Sequence, residues 1–529
     1  MNSGFKSQVV PSYRLLTDEQ IKEIHLASLD ILETVGVRVN HEEAVEMLRA
    51  AGCRIRPGHI VQMPGWLVGE CIRSAPSRIT IYNRRGEEAM RLEGRKIHYG
   101  LGTDLIKTVD VRTGELRPSN LDDVRNAARV VDYCSDIDFV ASSALPHEAQ
   151  TNMMYIECFR AELENTVKPI FFTAAGREDL AAMIEIAAAV TGGEEALREK
   201  PFLINYSEPT APLVHSYGAV SKVLLCADKG IPICYTPADV MGASAPVSLI
   251  GGIVQANAEA LSGIVIHQVR GKGSPIISGF FATPMDMLSS VFVYGGPEFR
   301  LTHSAYADIY HYYGIPCWGT AGVSDAHGID QQTAFESALT ILMAALDGAN
   351  LIHDIGYMGA GLIGSPANIV MSNEIIGWVK RMMRGFEITP ELMGLDMIRS
   401  VGPGGDYLAE EHTLNYYKSE LWRPRLSNRD DPDTWLQKGG KTFGGSLGFC
   451  GKGPHIGLLR LRKPAIPLQV QIQTLKERGD ATDAVAAPLE GFDLIVEALH
   501  EAATAPLREV VDNLIQPVGE RFQKGVETG

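Results

Sequence analysis

The chain has no C-x-x-C pair: its eight cysteines, Cys53, Cys71, Cys134, Cys158, Cys226, Cys234, Cys317 and Cys450, are scattered. That spacing argues against a zinc ribbon or a disulfide scaffold and, with no secretory leader read at the N-terminus, fits a reducing, cytoplasmic setting. Long apolar runs are missing too; stretches such as 264–269 are far too short to cross a bilayer, so no membrane span is expected. Positive charge is in deficit. Against 64 Asp and Glu stand 48 Lys and Arg, a formal net charge of −16, and surfaces that hold nucleic acid or anionic lipid need clustered Lys and Arg. Neither partner is expected. The sequence also lacks H-E-x-x-H, a Walker loop and a G-x-S-x-G elbow. Gly100-Leu101-Gly102 falls short of a dinucleotide fingerprint, and no side-chain set has zinc-ligand spacing, so no metal site is assigned.

What is present is an ordinary folded composition, 45% hydrophobic and 21% charged over 529 residues. Residues 1–95 read as an N-terminal cap, with helical periodicity over 18–33 and 42–51 and short strands at 78–82 and 89–92. A regular rhythm follows over 96–400. Apolar runs of strand length fall at 96–100, 138–142, 169–173, 202–206, 232–236, 275–280, 316–319 and 350–354. Helices begin after them near Asn120, Glu148, Arg177, Leu213, Ser248, Gly296, Asp330 and Pro366. Eight strand–helix units predict an α/β fold, a (β/α)8 TIM-type barrel with an N-terminal cap and a C-terminal helical extension. The pattern does not itself show closure, so an open doubly wound sheet is the rival. Residues 401–529 are expected to close on the barrel, with a Gly-rich stretch at 439–453 and helix over 467–522.

Barrel enzymes place their chemistry at the C-terminal ends of the strands. Here those ends carry Tyr99, Phe171 with Phe172, Tyr206, Tyr235, Phe280 with Phe281, and Trp318, in a chain that is only 7% aromatic. A quaternary ammonium ion cannot donate a hydrogen bond but is attracted to ring faces. Tyr99, Phe172, Tyr206, Tyr235, Phe281 and Trp318 are therefore candidate cage residues; the competing reading is that the rings fill the core. Polar candidates on the same face are Asp104, Ser207, Glu208, Asp325, His327, Asp330, Gln332, His353 and Asp354. His327, Asp325 and His353 are the catalytic candidates, and Gln332 and Arg300 join the substrate-binding set. His327, His353 and Arg300 are candidates to hold any substrate carboxylate, with an outer helix face as the alternative place for Arg300. Two other classes stay open: a metal-dependent barrel hydrolase using Asp325, His353 and Asp354, and a barrel that binds betaines without chemistry.

Several stretches narrow the choice. The runs Gly242-Ala243-Ser244-Ala245-Pro246-Val247, Gln255-Ala256-Asn257-Ala258-Glu259, Ser324-Asp325-Ala326 with Asp330-x-Gln332, Gly402-Pro403-Gly404-Gly405-Asp406-Tyr407-Leu408 and Glu420-Leu421-Trp422-Arg423-Pro424 together resemble the trimethylamine methyltransferase family over roughly 15–435. The archetype of that family carries pyrrolysine, whereas every position here is an ordinary residue; the neighbourhood of 327–336 is where the special residue is expected, with His327 where relatives often have Lys. The resemblance implies a non-pyrrolysine member that moves a methyl group from a quaternary amine, glycine betaine or a related betaine, to the Co(I) of a corrinoid (cobalamin) carried by a cognate partner protein. It implies no covalently bound cofactor, and a homo-oligomer is expected.

Overall fold

The computed structural model describes residues 8–110, 113–149 and 153–446. Eight short parallel strands form its centre: β1 (His98–Tyr99), β2 (residues 139–140), β3 (Ile170–Phe172), β4 (Leu203–Ser207), β5 (Ile233–Tyr235), β6 (Ile276–Ser278), β7 (Trp318–Thr320) and β8 (Leu351–His353). Strands β3 to β6 pair side by side in chain order, and β7, β8 and β1 do the same. Parallel bridges Gly100–Phe139, Val140–Ile170 and Ser278–Cys317 join the two groups. The ring closes, so the fold is a (β/α)8 barrel and not an open sheet. Six of the eight strands lie within the segments expected from the apolar runs, and β4 and β7 each run one residue past theirs, to Ser207 and Thr320.

Each strand is followed by a helix of the outer layer: α1 (Leu121–Tyr133), α2 (Met154–Asn165), α3 (Arg177–Thr191), α4 (Tyr217–Lys229), α5 (Leu249–Arg270), α6 (Pro297–Tyr313), α7 (Gln331–Asp347) and α8 (Pro366–Arg384). Side-chain caps fix four of their starts. Asn120 and Asp123 form a reciprocal capping box on α1, and Ser216, Asp330 and Ser365 each accept an amide proton of the first turn. Two starts differ from expectation. Glu148 is not in α2; its carboxylate accepts the Leu121 amide at 2.7 Å. Leu213 precedes α4 because Val214–His215 pair with the strand Val37–Val39 of the cap.

Helix α5 is long and apolar enough, by length and composition, to cross a membrane. It is instead a core helix, with residues 256–268 all buried between the barrel and the N-terminal helices Asp18–Asp30 and Gly65–Ser74. This explains why its sequence is apolar nearly all round. Beyond the strand ends two small sheets wall the mouth: Ala238–Met241 beside Phe281–Pro284, and Lys107–Val109 with Leu116–Pro118, Tyr357–Met358 and Ile363–Gly364. After α8 the chain runs through short helices, among them Leu395–Val401 and Glu411–Glu420, that bury no residue. Glu374 of α8 ties this run down by accepting the amides of Arg425, Leu426 and Ser427. The helix expected over 467–522 and the 447–453 part of the Gly-rich stretch lie outside the described residues.

Candidate active site

Strand register decides which side chains enter the barrel. Successive residues of a strand point to opposite faces, and the pairs Phe171–Ile204, Tyr206–Cys234 and Cys234–Ile277 share one face. The pairs Trp318–Leu351 and Thr320–His353 do so on the other half of the ring. Phe171, Tyr206, Trp318 and His353 accordingly converge. The Tyr206 and Trp318 rings are stacked at 6.3 Å, His353 sits 4.6 Å from Trp318 and 5.7 Å from Tyr206, and Phe171 lies 5.3 Å from Tyr206. Phe281 meets Trp318 edge-on at 4.4 Å, and Tyr294 lies 6.1 Å from Phe281.

Acidic groups stand around the same rings. Glu208 keeps the inward parity of Tyr206, whose hydroxyl donates to its Oε2 at 2.9 Å. Solvent reaches Glu208 although protein crowds it, the signature of a recess opening at the mouth. Burial pushes its carboxyl up, the Tyr206 hydroxyl opposes the shift, and Asp104 adds to it. Asp104 is likewise raised, by burial, with one buried oxygen lacking a hydrogen-bond partner. At the end of β8, Asp354 has φ +76°, which turns the chain so that His353 and Asp354 both reach the site. Thr320 donates to Asp354 Oδ2 at 2.5 Å, and His353 Nδ1 lies 2.5 Å from Oδ1 without hydrogen-bond geometry. A Cβ at Gly102 would overlap both the Asp354 carboxylate and the Tyr357 hydroxyl; only glycine leaves this wall clear.

Such an arrangement can hold a compact organic cation. Ring faces attract it at about 0.5–2 kcal/mol each, more when water is excluded, and the carboxyls supply opposite charge. Among the described residues no three His, Cys, Asp or Glu side chains gather as around a metal ion.

Comparison with known proteins places the chain. The family model for trimethylamine methyltransferases matches residues 3–445. This chain belongs to the trimethylamine methyltransferase family. It is 31% identical over 431 residues to the trimethylamine methyltransferase of Desulfitobacterium hafniense strain DCB-2, covering 81% of this chain and 86% of that one. With the glycine betaine methyltransferase of Desulfitobacterium hafniense strain Y51 it shares 29% identity over 435 residues, 82% of this chain and 90% of the relative. The trimethylamine methyltransferase of Methanosarcina thermophila is 30% identical over 450 residues, with 83% and 92% covered. The chain is thus a methyltransferase.

On this trimethylamine methyltransferase family barrel, four of the residues expected at the site converge: Tyr206, Phe281, Trp318 and His353. Three rings expected in the cage do not. Tyr99 faces outward and donates its hydroxyl to the Ile341 carbonyl of α7 at 3.0 Å. Phe172 packs on Phe159 of α2, ring centroids 5.1 Å apart, and its neighbour Phe171 takes the inward place. Tyr235 turns toward α5, where its hydroxyl meets His215 at 2.8 Å and His215 meets Ser262. Arg300 lies in the layer between barrel and helices: it donates to the Thr320 carbonyl at 2.9 Å, and its charge is felt by Tyr306, Asp347 and Asp354. Gln332 is exposed on the first turn of α7, donating to Glu336.

Asp325 accepts the Tyr294 and Gly295 amides at 3.0 and 2.9 Å, holding the loop that carries Tyr294. His327 is exposed, against Gly359. Two rings went unread from sequence, Tyr294 and Tyr357, because both sit beyond the strand ends, where no periodicity marks a direction. Glu208 carried a usable signal, its even spacing from Tyr206.

Proposed function

We propose that this methyltransferase binds a quaternary ammonium ion in the mouth recess and passes one of its methyl groups to a cobalt corrinoid on a separate carrier protein. The observation that carries the reading is the convergence of Tyr206, Phe281 and Trp318 on one recess beside Glu208, a set that suits a permanent cation with no N–H to donate. Relatives named as trimethylamine and glycine betaine methyltransferases support the amine class.

The corrinoid would supply the nucleophile, a Co(I) centre, when its carrier docks. The mouth suits such a visitor: Met287, Leu288, Val291 and Phe292 on the loop after Phe281–Pro284 are exposed, and Met287 approaches Gly242 beside exposed Val247. This chain's own residues would do the rest by positioning and electrostatics. Tyr206, Trp318 and Phe281 hold the cation and keep water from it, and Glu208 balances its charge. His353, wedged between Trp318 and Asp354, fixes the floor of the recess. Asp325 sets the Tyr294 wall, and His327, exposed near the rim, is placed to meet the carrier. The departing amine leaves neutral because its nitrogen begins with four carbon substituents, so no general acid is needed and no pyrrolysine is required. The seven described cysteines are buried and unpaired, in keeping with a reducing, cytoplasmic setting.

The test is a spectroscopic methyl-transfer assay with reduced corrinoid protein and a panel of quaternary amines beside trimethylamine. The expected result is cobalt methylation by a quaternary amine and none by trimethylamine. Ligand-induced stabilisation without transfer, given a competent corrinoid protein, would instead mark a binding protein.

A further inference from the structure

The charge around the recess bears on the rest of the substrate, beyond its ammonium end. Three carboxyl side chains, Asp104, Glu208 and Asp354, stand around the aromatic hydroxyls of the recess: Tyr206 donates to Glu208, His353 lies against Asp354, Tyr357 feels Asp354 and Asp104, and Tyr294 feels Asp354, Glu208 and Asp325. They come from three different chain segments, after β1, β4 and β8, so the acidity belongs to the recess as a whole. The buried Asp354 leaves Oδ1 without a hydrogen bond, and Asp104 leaves Oδ1 likewise.

The cationic groups nearby are set in the walls, each beside acidic neighbours. Lys222 of α4 donates to the Ala174 carbonyl at 2.8 Å, with Glu208, Asp104 and Asp179 as its neighbouring charges. Arg300 sits in the layer between barrel and helices, with Asp347 and Asp354 near it; one terminal nitrogen donates to the Thr320 carbonyl, while Nε and the other terminal nitrogen have no hydrogen-bond partner. His353, were it protonated, has Asp354 at 2.5 Å. A betaine needs a donor or cation to anchor its carboxylate. In this recess it would meet three carboxyl groups first, and like charges repel.

We infer that the recess takes a quaternary ammonium ion whose remaining arm carries no carboxylate, one that is neutral or hydroxylated, and that Glu208, bonded to Tyr206, sets this preference. The inference rests on the reading that the recess binds a quaternary ammonium ion, and it departs from the betaine expected from sequence. It requires no new chemistry: the same C–N bond breaks, and only the spectator arm differs.

The test is isothermal titration of the full-length protein, without corrinoid, against tetramethylammonium, choline and glycine betaine at neutral pH. Tetramethylammonium or choline should bind at least tenfold more tightly than glycine betaine. In Glu208→Gln the cation should bind several-fold more weakly and the gap to betaine should narrow. Circular dichroism would confirm that the variant is folded; the comparison on unmodified protein stands without it. Glycine betaine binding as tightly as choline, or more tightly, would overturn the inference and leave the quaternary-ammonium reading intact. Binding of none of the three would overturn both.

Discussion

At the scale of the residue, one hydroxyl and one ring divide the work of Tyr206. The ring stacks with Trp318, and the hydroxyl donates to Glu208. Tyr206→Phe keeps the ring face; Tyr206→Leu removes it. A lost cation–π face is worth about 0.5–2 kcal/mol, which at ~1.4 kcal/mol per tenfold is roughly a 2- to 30-fold rise in Kd for the leucine variant. Titration of a quaternary amine against both variants checks this, with Tyr206→Phe expected to stay the closer of the two to the wild type. Asn350 is a structural counterpart. Fully buried, it accepts the Cys317 amide at 2.9 Å and turns its amide nitrogen toward the Glu93, Gly94 and Lys96 carbonyls, tying the starts of β7 and β8 to the end of the antiparallel hairpin Arg78–Tyr82 and Glu88–Glu93. Asn350→Ala leaves those backbone groups without partners at roughly 1–3 kcal/mol for each one left dry. A clear fall in the denaturation midpoint is expected, and an unchanged midpoint would show that water replaces the side chain freely.

At the scale of the element, adjacent aromatics on short strands show what sequence can and cannot reveal. The eight strands and eight helices were legible because buried parallel strands are uniformly apolar and polar turns separate them from long amphipathic helices. That same uniformity hides direction: in Ile170–Phe172 nothing in the letters says that Phe171 enters the barrel while Phe172 meets α2. For Tyr235, the answer lies on another element, since a Cβ at Gly263 of α5 would strike the Tyr235 ring. Gly263→Ala should therefore destabilise the protein by about 1–3 kcal/mol, the usual range for overpacking, measured by chemical denaturation. Tyr235→Phe should leave amine binding unchanged, since its ring points away from the recess.

The strand Ala238–Met241 is fastened to α5 by a buried acid pair. Asp239 and Glu259 are both raised by burial, and Glu259 raises Asp239 further. Gln255 bridges them and the Ser244 carbonyl, and Glu259 also accepts the Leu213 amide. Two anions cannot share this site, so the pair keeps a proton through neutral pH. Because both folded values exceed those of the unfolded chain, the stabilisation is fully present below the ordinary carboxyl range near pH 4 and is lost as pH rises through the raised values. Thermal melts of the wild type should thus decline on the alkaline side more steeply than those of Asp239→Asn, in which one ionisation is gone. Parallel declines would show that the pair is ionised without cost.

At the scale of the whole molecule, the recess and its rim make separable demands. The walls that hold a cation are buried and tied to barrel strands, whereas the loop after Phe281–Pro284 presents Leu288 at 97% exposure and Met287 at 64%. Apolar side chains this exposed stabilise nothing in the isolated chain, and apolar exposure beside a reaction centre fits a surface that a partner covers. Under the proposed transfer the carrier of the corrinoid is that partner, since the methyl group can leave the recess only through the mouth. Leu288→Asp places a charge at the centre of the loop without touching Tyr206, Trp318 or Phe281. Affinity for the amine by titration should stay within twofold of the wild type, while kcat/KM measured against the corrinoid protein falls at least tenfold, mostly through a higher KM. If both parameters hold, the carrier approaches by another face; if both fall together, the loop shapes the recess and not the docking surface.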